Sequence, residues 1–118
     1  MKIYRFDRET GTPIDEHGSS AAAISTIASL NEPASVKCIH IEPKGLVGSH
    51  PAVNPQLLLV VQGNGYLRGE GAIRTPIKAG QAVHWDRGEW HETSTDSGLV
   101  AIVIESATLD PSQYMTEA

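Results

Sequence analysis

Beyond Pro33 short apolar stretches recur between Gly-, Pro- and Asp-bearing turns, which is the signature of short β-strands. Val36–Glu42 reads as one such strand, closed by Pro43 and Gly45. Gln56–Gln62 (Gln-Leu-Leu-Leu-Val-Val-Gln) is apolar on both faces, as expected of a strand covered on each side. Gly63-Asn64-Gly65 predicts a hairpin after it. Tyr66–Arg68 and Ala72–Lys78 flank a turn at Gly69-Glu70-Gly71, and Ala79-Gly80 turns the chain into Gln81–Trp85. Gly88 precedes Glu89–Ser94, and Asp96-Ser97-Gly98 leads into Leu99–Glu105. Before Pro33 the pattern is weaker. Lys2–Phe6 alternates as a short edge strand, Asp7–Ser20 is loop, and Ala21–Leu30 fits either helix or strand. Leu109–Ala118 reads as a docked or frayed tail. About eight short strands at roughly ten-residue spacing predict an all-β sandwich or barrel.

Composition narrows this picture. With 118 residues the chain makes a single domain, 1–118, large enough for one core. Eleven Gly and seven Pro suit many tight turns and argue against a helical bundle. The net charge is −5 and no run of Lys or Arg occurs, so neither nucleic acid nor an anionic membrane surface is an expected partner. Leu57–Val61 and Leu99–Ile104, the longest apolar runs, fall far short of the roughly 20 residues of a membrane span. The charged start Met1–Glu9 has no apolar signal-peptide region, and the single Cys38 has no partner for an internal disulfide. A cytoplasmic location is the expectation, with Cys38 as a small buried apolar residue.

Candidate chemistry rests on histidine. Of five His, His17 lies in a polar loop and reads as solvated. His50 follows the Gly-rich turn Gly45–Ser49, with Gln56 six residues on at the start of the most apolar strand. His91 ends a second Gly-bounded unit that begins at Gly80. The spacing Gly45, His50, Gln56, Gly63, followed by Gly80, Asp86-Arg87-Gly88 and His91, resembles the two motifs of the cupin superfamily over about residues 36–105. The resemblance implies a double-stranded β-helix, the cupin jelly roll, with the motif residues facing an internal pocket. It also tips Ala21–Leu30 towards an added strand and implies a homodimer formed through Lys2–Phe6.

Metal-bearing cupins hold a divalent ion with three His and a Glu. Here Ala52 stands at the second His, Gln56 at the Glu, Asp86 at a Pro and Thr95 at an Asn, and the Gly45-to-His50 spacing is one residue short. His50, Gln56 and His91 alone carry over as metal or ligand contacts. Imidazole suits zinc, nickel, copper or iron, but a neutral amide offsets no charge, so any such site is weak. His40 or His84 could add a nitrogen if directed inward. Trp85 and Trp90 bracket His91 as a stacking surface or as core plugs, and Glu89 and Glu92 as orienting groups, acid–base groups or solvated side chains. Without a metal, the same residues make either an internally bonded polar cluster or a pocket for a polar ligand. The expected function is a small-molecule binder. A metal-dependent enzyme (a dioxygenase or small isomerase) and a non-catalytic sensor or interaction module are the alternatives.

Overall fold

The computed structural model describes residues 1–118. Eleven strands follow in order: β1 (Lys2–Arg5), β2 (Thr12–Pro13), β3 (Ala23–Ile24), β4 (Ser35–Ile41), β5 (Leu46–Pro51), β6 (Gln56–Arg68), β7 (Arg74–Lys78), β8 (Gln81–Trp85), β9 (Trp90–Ser94), β10 (Leu99–Glu105) and β11 (Thr116–Glu117). Their pairings are antiparallel, apart from the helical turns at Arg8–Thr10 and Pro111–Gln113 there is no other regular structure, and the fold is an all-β jelly roll.

β6 organises the molecule. Its first half lies in a sheet of order β11-β1-β8-β6-β10-β4. Its second half pairs with β7 on one side and β9 on the other, and β9 in turn pairs with β5. The strand changes sheets at Gly63, where the expected hairpin does not form and the chain runs straight on to Arg68. Register against β10 slips between Val100 and Ala101, leaving Val61 as the extra residue of a bulge. Gly63 takes φ +83°, and a Cβ there would collide with the carbonyl oxygen of Gly98. A glycine pattern that resembles a turn therefore serves a bend within one strand.

The barrel interior holds Leu58, Val60, Leu67, Ile77, Val83, Trp85, Ala101 and Val103. A second cluster lies outside the first sheet, where Leu57, Leu59 and Ala82 are covered by Tyr4, Leu109 and Met115. This explains why β6 is apolar on both faces: one lines the barrel, and the chain's own ends cover the other.

Several sequence expectations are corrected here. β1 is not an edge, because β8 and β11 pair with it on opposite sides. Only Ala23–Ile24 of the 21–30 segment is strand, paired with β2, while Ile27, Ala28 and Leu30 pack on the outer cluster. The Gly-rich stretch before His50 is mostly strand β5, since pairing with β9 supplies the order that its glycines lack. Cys38 is exposed, on the outer side of β4. The tail is docked, with Leu109, Pro111 and Met115 buried and the carboxylate of Asp110 accepting from Ser112 N–H at 3.1 Å. No helix is long and apolar enough to cross a membrane.

Candidate functional site at the barrel mouth

Cross-strand pairing brings the expected residues together. His50 of β5 and His91 of β9 are register partners, with ring centroids 4.5 Å apart. Gln56 of β6 lies opposite Trp85 of β8, and the Trp85 indole stacks on the His91 ring at 3.9 Å and 16°. Residues two apart on a strand share a face, so His91 with Thr93, and Gln56 with Leu58, all point inward. They line a cavity of about 60 Å³, room for roughly two waters, floored by Leu58 and Val103.

Hydrogen bonds fix the state of each polar group. His50 Nδ1 donates to the Gly48 carbonyl at 2.7 Å, and His91 Nδ1 to that of Glu89 at 3.0 Å. A carbonyl only accepts, so in the neutral form of each ring the proton sits on Nδ1 and Nε2 keeps a free lone pair. His91 is 3% exposed, and burial pushes its pKa below the ordinary imidazole value, against the raising effect of the Glu89 carbonyl. His50 is exposed and forms the rim. Trp85 is 1% exposed and its Nε1–H has no partner.

Gln56 reveals a residue the sequence reading missed. Its Nε2 donates to Glu105 Oε1 of β10 at 2.6 Å, across a register pair. A carboxylate thus stands one strand away from the position where metal-bearing cupins carry theirs. Glu105 ends an apolar strand with no motif around it; only its register with Gln56 marks it.

The remaining candidates lie elsewhere. His40 is exposed on the outside of β4, with Nε2 3.5 Å from Cys38 Sγ. His84 is on the outer side of β8, beside Tyr4, Asp86 and Asp110, where burial lowers its pKa. In both cases the flanking residues, Ile39 and Ile41 or Val83 and Trp85, take the inward positions, so the His faces out. Trp90 is 43% exposed. Burial would raise the pKa of Glu89, but the amino group of Met1 at 2.8 Å and the Asp86 N–H hold it below the usual carboxylate value. Glu92 is paired with Arg68 at 2.9 Å. Thr95, at the Asn position, donates to the Asn64 carbonyl and accepts from Gly98 N–H, bracing a turn.

No three side chains of His, Cys, Asp or Glu are grouped to hold an ion, Ala52 contributes no donor, and Gln56 offers only its amide oxygen once its nitrogen is bound to Glu105.

No family model and no curated protein matches the sequence. Solved structures do match in shape. A cupin-like protein from Thermotoga maritima aligns at TM-score 0.60 and 25% identity over 64% of this chain and 58% of its own. A predicted oxalate decarboxylase from the same organism aligns at TM-score 0.53 and 24% identity over 58% and 62%. The cupin domain of Drosophila melanogaster CENP-C aligns at TM-score 0.56 and 21% identity over 66% and 65%. The chain spans less than two thirds of each of these. Strand pairing, the barrel with its inward His pair, and these neighbours together identify the fold as that of the cupin superfamily.

Proposed function

We propose that this protein binds a small molecule at the barrel mouth, between His50 and His91. The observation that carries the reading is the facing imidazole pair, each ring fixed through Nδ1 and presenting a free Nε2 beside the buried Trp85. A divalent transition ion is the second reading. The Nδ1–H to carbonyl bond is the arrangement that orients metal-binding imidazoles, though two rings and one amide oxygen would hold an ion weakly. Enzyme chemistry of the dioxygenase or isomerase kind is less supported, since Glu89 and Glu92 are each committed to a cation. So is a purely interacting module, because an inert barrel would not need an inward His pair. A thermal-shift panel of small metabolites and divalent ions tests this, with each hit repeated on His50→Ala and His91→Ala. Loss of the shift in both variants is expected, and a shift that survives both overturns the site.

A cytoplasmic setting and a homodimer complete the reading. An exposed, unpaired thiol at Cys38 suits a reducing compartment. β4 pairs only with β10 and so leaves a seven-residue edge open to a second copy, whereas β1 is already paired on both sides. Sedimentation velocity over a concentration series tests the dimer, and a monomer throughout would remove it.

A further inference from the structure

Three lone pairs face the barrel cavity. Two are the Nε2 atoms of His50 and His91, left over once Nδ1 of each ring donates to a backbone carbonyl. The third belongs to Gln56 Oε1. An amide has one donor end and one acceptor end, and the Glu105 carboxylate can take only the donor, so Glu105 decides which end Gln56 leaves for the cavity. Glu105 itself is not part of the cavity wall and acts through Gln56 as a positioning residue. Against these three acceptors the wall sets the unpaired Trp85 Nε1–H, the Thr93 hydroxyl, which donates or accepts as its partner requires, and no cationic side chain. An anion would therefore meet three opposing lone pairs for at most two hydrogen bonds gained, with no cation to offset its charge.

Resting on the reading that the barrel mouth is a binding site, we infer that its ligand is a small primary ammonium group, three N–H donors meeting the three acceptors His50 Nε2, His91 Nε2 and Gln56 Oε1. The cavity of about 60 Å³ admits the nitrogen and roughly one further heavy atom, so any longer substituent must leave past the exposed His50. The Glu105 charge behind the amide favours a cation. Burial also favours the neutral, accepting form of His91.

Methylammonium chloride is the probe, titrated into ¹⁵N-labelled protein at pH 7.5 and constant ionic strength, with methanol, sodium formate and Zn²⁺ in parallel. Two heavy atoms set the expected affinity in the millimolar range. Methylammonium should shift the ring ¹⁵N resonances of both His50 and His91, while methanol and formate leave them in place. Glu105→Gln frees the Gln56 amide to turn its nitrogen inward and should weaken binding about tenfold, with the backbone spectrum unchanged. The exchange variant Gln56→Glu with Glu105→Gln restores an acceptor at the cavity and should recover the affinity, which a merely structural role for Glu105 would not do. Binding should weaken in acid, because a protonated ring has no lone pair to offer the ammonium group. If Zn²⁺ moves the ring signals and methylammonium at about 100 mM does not, the ammonium inference falls and the binding site stands. Formate binding as well as methylammonium overturns it equally. If no probe moves either ring, the site and the inference fall together.

Discussion

Gln56 and Glu105 are the residues on which the chemistry of the barrel mouth turns, and one substitution separates the possibilities. Gln56→Glu removes the 2.6 Å hydrogen bond and sets two carboxylates against each other. The variant without metal should lose about 1–3 kcal/mol of stability near pH 7. A divalent ion should relieve the repulsion, so zinc affinity should rise tenfold or more. Thermal melts with and without zinc, backed by calorimetry, read both effects; a variant that melts like wild type and binds zinc no better would show that the two side chains do not face each other. The motif spacing made His50, Gln56 and His91 legible in the sequence, because strand alternation carries spacing into direction. Glu105 was not legible, since its role depends on which strand β10 pairs with. His40 and His84 were open to either side because all their neighbours are apolar; those neighbours took the core and turned both His outward. Cys38 follows the same alternation outward, so its thiol should react stoichiometrically with a disulfide reagent in the native protein. A thiol that reacts only after denaturation would contradict that placement.

At the level of the element, β6 tests how the two cores are divided. Leu57 and Leu58 are adjacent and both buried, yet one faces the terminal segments and the other the barrel. Truncation of either to Ala should cost about 3 kcal/mol. Deleting residues 109–118 should shrink the cost of Leu57→Ala and leave that of Leu58→Ala unchanged, which a double-mutant cycle by urea denaturation measures. Equal costs in both backgrounds would mean the tail does not cover Leu57. Gly63→Ala should be more damaging than its size suggests, because the left-handed backbone and the Gly98 carbonyl leave its Cβ no room. The run of apolar residues made this strand legible, but not its length, because Gly-Asn-Gly marks a hairpin and a bulge with the same residues. β5 escaped notice for a related reason: it is strand only through its partner β9.

For the molecule as a whole, one buried and one half-buried imidazole set a pH dependence. His84 and His91 both have pKa values lowered by burial. Below the unfolded value near 6.5 the unfolded chain binds protons that the folded one refuses. Stability should therefore fall as pH drops from 6.5 towards the folded pKa values and level off beneath them. His84→Gln should flatten that slope, as followed by melting temperature between pH 5 and 8; an unchanged slope would assign it to other groups. The all-β class was legible because short apolar runs between turn residues are a local signal; the strand count was not, since β2, β5 and β11 go unmarked and β6 reads as two strands. The outer layer was not, because it joins residues 2–6, 27–30 and 109–115, far apart in sequence, over the back of a single sheet. That layer has a kinetic consequence. The middle of β6 is enclosed in the sheet plane by β8 and β10 and on its two faces by the barrel core and the chain ends. Its amide protons should exchange with solvent only when the entire domain unfolds. β5 pairs along one side only and is largely exposed. The two walls of the ligand cavity thus belong to different timescales: Gln56 and Trp85 stand on the slowest-exchanging part of the protein, and His50 on one of the fastest. Occupancy of the cavity should slow exchange along β5 while leaving β6 as it was, so protection at residues 46–51 becomes a direct record of binding.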